Sequence, residues 1–251
     1  MIKAIFFDID GTILNGNNGI PESTILALDK LKKKDIETII CTGRGYDETM
    51  ALNIENIDAY ILLNGQIAYY DKDNVLYKKP IENKEKLIEL FNSKKIPFGL
   101  VDDKNTYLNY IDDYVRYVHD AVNLRMPVVK EYDGGDIYQA LAYGKVKDYI
   151  EKELPDFIAT SWHFDGVDIV PKDSGKDKGI IEYCKLRNID IKDTMAFGDG
   201  ENDIEMLKTV GIGVAMGNSI DMVKENADYI TDRIDMDGIY NALVHYGVIN
   251  D

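Results

Sequence analysis

The chain has 251 residues, of which 45% are hydrophobic, and a formal net charge of −16 at pH 7. This length and apolar content suit one large globular core or two domains. The negative charge disfavours nonspecific binding to DNA, RNA or anionic lipid, because these polyanions are repelled. No apolar run approaches the roughly 20 residues of a membrane span, and a strand directly after Lys3 argues against a signal peptide. We therefore expect a cytoplasmic protein that spans no membrane and binds no nucleic acid.

The first predicted strand is apolar and ends in two acidic residues. The run from Ile5 to Phe7 is typical of a strand buried on both faces of a parallel sheet. Asp8 and Asp10 follow it and, on an extended backbone, leave it on the same side, roughly 6 to 7 Å apart. Gly11 permits a turn there, so an ordinary Asp-Gly turn is one interpretation. The other is a ligand site, because parallel sheets bind ligands outside the carboxyl ends of their strands.

Two further strands end in polar or glycine residues. After a helix that opens at Pro21, residues 36–41 form a second buried strand, followed by Thr42, Gly43 and Arg44. A third strand over residues 59–63 is followed by Asn64-Gly65. Repeated strand and helix units predict a doubly wound α/β fold, in which these strand ends meet at one edge of a parallel sheet.

The pattern changes between residues 67 and 171. Short runs at residues 67–70 and 75–77 flank Asp73-Asn74 as in a hairpin, and Pro80 follows. Helices are then predicted over residues 84–92, 112–121 and 145–153, and strands over residues 98–101, 106–110, 136–143, 157–163 and 167–170. Adjacent short strands predict an antiparallel sheet with helices on one face. We interpret residues 81–171 as an α+β cap domain inserted between core residues 1–80 and 172–251.

The alternation of helices and strands returns from Gly179 onward. Strands are predicted over residues 194–197, 212–215 and 229–231, and helices over residues 204–210, 219–226 and 237–246, with a further helix around Ile180. Asp199 and Asp203 lie four residues apart at a strand-to-helix junction, where both can face the first acid pair. Cys41 and Cys184 occupy predicted core positions, so we expect buried free thiols.

Four segments in chain order carry a family resemblance. They are Asp8-Ile-Asp-Gly-Thr12, Thr42-Gly-Arg44, the run from Asp168 to Gly179, and Gly198-Asp-Gly-Glu-Asn-Asp203. In this order they resemble the four motifs of the haloacid dehalogenase superfamily of phosphohydrolases. The long insert after the second motif, and its Thr-Gly-Arg form, resemble the Cof-type branch with a C2B-like cap. The resemblance covers the whole chain and implies a Rossmann-like core and a phosphoric monoester hydrolase.

The resemblance implies roles for the motif residues. Asp8 would be the nucleophile that forms an aspartyl phosphate, and Asp10 the general acid and base. The superfamily's dehalogenases lack the second Asp, so Asp10 favours phosphoryl chemistry. Thr42 would hold a phosphoryl oxygen, although it also suits a plain strand-terminal turn. Gly43, Arg44, Asn64, Lys176 and Asn202 complete the residues that we expect at the substrate.

Two lysines compete for the motif position. Aligning Gly179-Ile180 with the family's helix start favours Lys176, whereas the family's frequent Lys-Gly pair favours Lys178. We assign Lys176, which would neutralise charge on Asp8 and on the transferring phosphate, and we expect Lys178 to be a solvated lysine at the helix start.

The acidic residues predict a magnesium site. Four carboxylates converging from Asp8, Asp10, Asp199 and Asp203 demand a hard cation, and Mg²⁺ prefers oxygen ligands. An EF-hand calcium loop is disfavoured, because the alternating ligands and the final Glu are absent. The resemblance implies that Asp8, the backbone carbonyl of Asp10 and Asp199 bind the metal, with Asp203 behind them.

The expected function is Mg²⁺-dependent hydrolysis of a small phosphorylated metabolite, such as a sugar phosphate or similar monoester. A phosphomutase or phosphotransferase would use the same intermediate, and a noncatalytic ligand-binding regulator is the third interpretation. The sequence does not identify the substrate. Trp162, His163 and Phe164 fit either the cap core, which we favour, or the pocket. We expect a small-molecule phosphate ester as partner and a monomer or weak homodimer.

Overall fold

The computed structural model describes residues 1–16, 19–71, 73–121 and 125–250. These residues form two β-sheets, one of eight strands and one of six. No helix among them is long and apolar enough to cross a membrane.

The first core segment supplies five strands and two helices. In chain order they are β1 (Ala4–Phe7), α1 (Glu22–Lys32), β2 (Glu37–Cys41), α2 (Tyr46–Ala51), β3 (Ala59–Leu62), β4 (Ile67–Tyr70) and β5 (Asn74–Lys78). Strands β1, β2 and β3 are parallel. Strands β4 and β5 pair antiparallel, as the predicted hairpin requires, and β4 also pairs antiparallel with β3.

The middle segment forms the six-stranded sheet and its helices. They are α3 (Glu85–Ser93), β6 (Phe98–Val101), β7 (Thr106–Leu108), α4 (Asp113–Ala121), β8 (Val128–Val129), β9 (Gln139–Tyr143), α5 (Lys147–Glu153), β10 (Phe157–His163) and β11 (Gly166–Pro171). The two-residue strand β8 was not predicted, because a run this short carries no periodicity.

The last segment completes the larger sheet. Its elements are α6 (Lys176–Arg187), β12 (Thr194–Gly198), α7 (Ile204–Thr209), β13 (Ile212–Ala215), α8 (Asp221–Lys224), β14 (Tyr229–Ile230) and α9 (Gly238–His245). The strand order is β14-β13-β12-β1-β2-β3-β4-β5, and the first six strands of this order run parallel.

Helices cover both faces of the larger sheet, as a doubly wound fold requires. Alternate residues of β1 point to opposite faces. Phe7 packs in one cluster with Leu28 of α1 and Leu243 of α9, whereas Phe6 packs in another with Ile180 of α6 and Leu207 of α7. All four residues of β1 are buried, which explains why this strand is apolar throughout.

The smaller sheet is antiparallel apart from one parallel pair, β7 with β8. The prediction that its helices lie on one face is wrong. Leu87 of α3 and Ile150 of α5 pack with Ala140 and Ala142 of β9, whereas α4 packs with Leu141 and Tyr143 of the same strand. The reason is that β9 is apolar at successive positions, so both of its faces need cover.

The apolar cluster under α4 is continuous with the core cluster that contains Phe7. The face of the cap sheet that carries α4 therefore packs toward the core. An ion pair adds to this contact, because Lys147 Nζ of α5 lies 2.8 Å from Glu201 Oε1 after β12. Cys41 and Cys184 are buried free thiols, as predicted.

Candidate active site

The carboxyl ends of three neighbouring strands meet at one edge of the larger sheet. β1 pairs with β2 on one side and with β12 on the other, with Phe7 opposite both Ile40 and Phe197. This register sets Asp8 beside the residues that follow β2 and β12. The parallel topology therefore brings together three polar segments that are far apart in the sequence.

A buried lysine joins two of the acids. Lys176, at the start of α6, places its Nζ 2.6 Å from Asp8 Oδ1 and 2.6 Å from Asp203 Oδ1. Lys178 instead pairs with Asp177 at 2.9 Å and has a half-exposed side chain. Of the two lysines considered from the sequence, Lys176 is the one that lies at Asp8.

Hydrogen bonds to the carboxylates of Asp199 and Asp203 fix the segment after β12. Asp203 Oδ2 accepts hydrogen bonds from the backbone N–H groups of Asp199 and Gly200, each at 2.9 Å. Asp199 Oδ1 accepts one from the hydroxyl of Thr12 at 2.9 Å. Thr12 was not predicted as a site residue, although its place directly after Asp10 and Gly11 was a usable signal.

Gly11 allows the first and last motifs to touch. Its φ is +84°, and a Cβ at this position would lie 2.2 Å from Asp199 Oδ2. A side chain would therefore be strained by the backbone conformation and would clash with the carboxylate. The glycine of the Asp-Gly turn lets Asp199 approach the end of β1.

Burial dominates the electrostatics of this cluster. It raises the pKa of Asp8 well above the ordinary value, with Lys176 opposing and the neighbouring carboxylates reinforcing the shift. Burial and Asp203 raise the pKa of Asp199 to about 7. Burial opposes the charge of Lys176, but Asp203 and Asp8 raise its pKa overall. The negative charge of Asp8 is thus favoured by the cation beside it.

The donor set fits a hard divalent cation. Carboxylate oxygens of Asp8, Asp199 and Asp203 lie within 4.8 Å of one another. Both oxygens of Asp203 are engaged, one by Lys176 and one by backbone N–H groups, so Asp8 and Asp199 have the more available oxygens. Oxygen donors at this spacing suit Mg²⁺.

The carboxylate of Asp10 lies outside this cluster. Arg44 donates from Nε to Asp10 Oδ2 and from a terminal nitrogen to Oδ1, each at 2.7 Å. The side chain of Asp10 is 56% exposed, and that of Arg44 is 16% exposed. The fork fixes the orientation of the Asp10 carboxylate at the mouth of the site.

Asn64 connects the core with the cap. Its Nδ2 donates to Gln139 Oε1 at 2.9 Å and to Asp168 Oδ2 at 2.8 Å, and its Oδ1 accepts from Asn202 at 3.0 Å. Leu63 and Asn64 both have positive φ, 52° and 51°, which is unusual for leucine and more readily adopted by asparagine. Backbone strain of this kind persists where the surroundings demand it, here in the network between core and cap.

A cavity of about 270 Å³ opens above Asp8, between the strand ends and the cap. Of the predicted site residues it is lined by Asp8, Asp10, Thr42, Gly43, Arg44, Asp199 and Asn202. Lys176 and Asp203 lie buried beneath it, and Asn64 adjoins it through Asn202. The structure thus brings all of the predicted site residues into one region.

The cap side of the cavity corrects one expectation. We favoured the cap core for Trp162, His163 and Phe164, but Trp162 lines the cavity, His163 is half-buried and Phe164 is 79% exposed. Trp162 and His163 end β10 beside the irregularity between Ser161 and His163, where the alternation of faces breaks down, and Phe164 follows in the turn.

Besides Thr12, sequence reasoning missed three further polar residues at this site. Asp168 and Gln139 lie on cap strands and are buried at the contact with Asn64, and Glu48 of α2 lines the cavity. An acid inside the apolar strand β11 was a signal for Asp168. Glu48 follows Arg44 by four residues, which carries no signal by itself.

A doubly wound sheet with carboxylates and a buried lysine at its carboxyl edge, under an inserted α+β unit, defines a capped α/β enzyme. A family model described as haloacid dehalogenase-like hydrolase matches residues 5–243. YkrA of Bacillus subtilis (strain 168), which is named provisionally as a phosphatase, is 33% identical over 98% of both chains. The chain belongs to the haloacid dehalogenase-like hydrolases and is a phosphoric monoester hydrolase.

Solved structures agree in fold over nearly the whole chain. The phosphatase BT1666 of Bacteroides thetaiotaomicron has a TM-score of 0.90 at 30% identity, covering 99% of this chain and 96% of its own. The subclass IIB sugar phosphatase BT4131 has a TM-score of 0.86 at 31% identity, covering 98% and 100%. Among the sequence relatives, the pyridoxal phosphate phosphatase YbhA of Escherichia coli (strain K12) is 29% identical, covering 91% of this chain and 92% of its own.

Proposed function

We propose that this enzyme is a Mg²⁺-dependent phosphatase that hydrolyses a small phosphorylated metabolite through an aspartyl phosphate on Asp8. The observation that carries the proposal is the position of Asp8, at the end of β1 and facing the cavity, with Lys176 Nζ at 2.6 Å. A carboxylate held in this way can attack phosphorus, and covalent catalysis divides one difficult displacement into two easier ones.

Lys176 and Asp203 support the nucleophile. The ammonium group of Lys176 offsets the negative charge that collects on Asp8 and on the transferring phosphoryl group. Asp203 holds this lysine in place and, through the backbone N–H groups of Asp199 and Gly200, fixes the loop after β12. The bound Mg²⁺ would supply further charge neutralisation between Asp8, Asp199 and the substrate phosphate.

Asp10 is the proposed general acid and base. It follows Asp8 by two residues and is held by the guanidinium fork of Arg44. From this position it donates a proton to the departing alcohol and then takes one from the water that attacks the aspartyl phosphate. Thr42, with its hydroxyl and backbone N–H at the end of β2, is proposed to hold a phosphoryl oxygen. Asn202 is proposed to bind the substrate beside it.

Residues 81–171 are proposed to act as the cap. They lie between two connections, at Lys79-Pro80 and at Pro171-Lys172, and their sheet covers the cavity. Closure over Asp8 excludes bulk water, which strengthens the electrostatic interactions there. A sugar phosphate or a similar monoester as substrate is supported by the similarity to the sugar phosphatase BT4131 and to the pyridoxal phosphate phosphatase YbhA.

The test is a screen of phosphorylated metabolites with Mg²⁺, comparing the wild type with Asp8→Asn. We expect phosphate release that EDTA abolishes and Mg²⁺ restores, and a loss of about 10³-fold or more in Asp8→Asn. Asp148→Asn, at an exposed position of α5, is the matched control and should retain activity. Full activity in Asp8→Asn, or in exhaustively chelated enzyme, contradicts the proposal. Phosphate transfer to a sugar hydroxyl in place of water would identify a phosphotransferase.

A further inference from the structure

The cavity extends beyond Asp8 to a wall that the proposed mechanism does not use. This wall comes mainly from the cap and includes the apolar and aromatic residues Val101, Leu141, Tyr143 and Trp162. It faces the position of the alcohol portion of a substrate whose phosphoryl group is at Asp8. The chemistry of this wall therefore bears on which alcohols the enzyme accepts.

The charges on the wall are of one sign. Glu48 of α2 and Asp168 of β11 both line the cavity. Among the described residues that line it, the one lysine or arginine is Arg44, and its guanidinium is held by Asp10. A second phosphate or a carboxylate on the substrate would therefore meet carboxylates rather than a free cation.

The charge of Glu48 opposes the ionisation of Asp168. Burial and the charge of Glu48 raise the pKa of Asp168 to about 7. Burial also raises the pKa of Glu48, with Arg44 opposing. Like charges in a confined space are relieved by a cation placed between them, so a positively charged ligand group gains from both.

His119 also lines the cavity and is held within the cap. Its Nδ1 donates to the backbone carbonyl of Arg125 at 3.1 Å, and its Nε2 lies 2.7 Å from the hydroxyl of Tyr143. Both ring nitrogens thus have a hydrogen-bond partner within the cap.

Trp162 adds a flat surface to the same cavity. Its indole N–H is buried and has no acceptor among the described residues, although buried indole groups usually find one. The tryptophan ring also offers the best face for a cation, and it packs well against a planar ring. An unsatisfied donor and an aromatic face in one wall indicate a ligand that completes them.

The volume limits the size of the ligand. The cavity measures about 270 Å³, including the part above Asp8 that a phosphoryl group would fill. Pockets for drug-sized ligands are larger, roughly 300 to 1,000 Å³. The remaining space suits a single ring rather than a nucleotide with base and sugar.

From these observations we infer the substrate class, which rests on the proposed phosphatase function. The enzyme selects phosphate monoesters whose alcohol portion is a single planar ring carrying a protonated nitrogen, and it discriminates against esters with a second anionic group. Glu48, with Asp168, recognises the positive charge, and Trp162 packs against the ring. Glu48 and Trp162 are thus specificity-determining residues.

Three aryl esters with nearly the same leaving oxygen test the charge selection. They are 4-(aminomethyl)phenyl, 4-methylphenyl and 4-(carboxymethyl)phenyl phosphate, which differ in one remote positive, neutral or negative group. We expect kcat/KM to fall in that order at neutral pH, with about a tenfold difference or more between cation and anion. Glu48→Gln should reduce the ratio of cation to anion about fivefold or more. Glu55→Gln is the control, because it removes the same charge at an exposed position. It should change the ratio of cation to anion by less than about twofold.

The role of Trp162 is tested with a second substrate that carries the same positive charge but has no ring. Trp162→Leu should reduce the preference for 4-(aminomethyl)phenyl phosphate over 2-aminoethyl phosphate about fivefold, whereas Trp162→Phe should largely keep it. Both comparisons use ratios within one protein, so a change in overall activity does not mimic the effect.

Several results would overturn the inference while sparing the proposed function. They are equal kcat/KM for the three esters, preference for the anion, or a ratio that Glu48→Gln leaves unchanged. The wild-type ranking needs no variant, so it decides the matter even if Glu48→Gln fails to fold. By contrast, wild type that releases no phosphate from any ester, aryl or metabolite, with Mg²⁺ present, would overturn the proposed function itself.

Discussion

Replacing Lys176 with methionine removes the cation at the centre of the buried acid cluster. Lys176 Nζ lies 2.6 Å from Asp8 Oδ1 and 2.6 Å from Asp203 Oδ1, and none of the three side chains is more than 10% exposed. Methionine has a similar length and is apolar, so the variant keeps most of the packing. What it loses is the partner of two carboxylates.

The size of the effect follows from this geometry. At an effective dielectric constant of about 20, two unit charges 2.6 Å apart attract by roughly 6 kcal/mol. The cost of burying the lysine offsets much of this attraction, and breaking a buried pair by removing one partner typically costs about 3–5 kcal/mol. We therefore expect Lys176→Met to lower the free energy of unfolding by about 3–5 kcal/mol and kcat/KM by about 10³-fold or more.

Urea denaturation followed by circular dichroism measures the first quantity, and phosphate release with Mg²⁺ measures the second. Lys178→Met is the matched control, two residues along α6, because its half-exposed side chain pairs only at the surface with Asp177. Its free energy of unfolding should change by less than about 1 kcal/mol. Equal effects of the two substitutions, or a stable and active Lys176→Met, would refute the reasoning.

Three further predictions concern other parts of the site. Asp10→Asn should lower kcat/KM by about 10²–10⁴-fold for a sugar phosphate and less for 4-nitrophenyl phosphate, whose leaving group needs no proton; equal losses would exclude the acid role. Burial raises the pKa of Asp168 from 3.8 to about 7, so the folded state binds the proton more tightly and loses stability as pH rises through that interval. Relative to wild type, Asp168→Asn should gain stability between pH 5 and pH 8, by at most about 3 kcal/mol in urea titrations, and no relative gain would refute the burial argument. Substituting a Gly-Ser linker for residues 82–170 should leave a folded core, because the strands of the larger sheet lie outside them, but with lower kcat/KM for metabolite esters; undiminished efficiency would contradict a cap role.

Much of the fold was predictable because it depends on local pattern. The apolar runs before Asp8, Thr42 and Asp199 identified β1, β2 and β12, and the parallel topology follows from the helices between them. Since the strands are parallel, their polar ends had to meet at one edge. The same reasoning separated the antiparallel hairpin β4–β5 and the α+β unit that follows it.

The partners of the site residues were not predictable in the same way. Asp10 bonds to Arg44, 34 residues away, and Asn64 bonds to Asp168, 104 residues away. Nothing in the local sequence of either residue distinguishes these partners from solvent. The same holds for Glu48, whose importance depends on the cavity that the cap closes above it.

The sequence by itself determined the order of the strands and helices, the inserted unit and the acids and lysine at one sheet edge, because periodicity and strand ends are local properties. Only the tertiary structure decided between Lys176 and Lys178, placed α4 on the second face of the cap sheet, and brought Trp162 to the cavity. Each of these outcomes depends on which apolar surfaces meet when the core and the inserted α+β unit pack together. That choice is made by packing between residues distant in the chain, which a single sequence does not record.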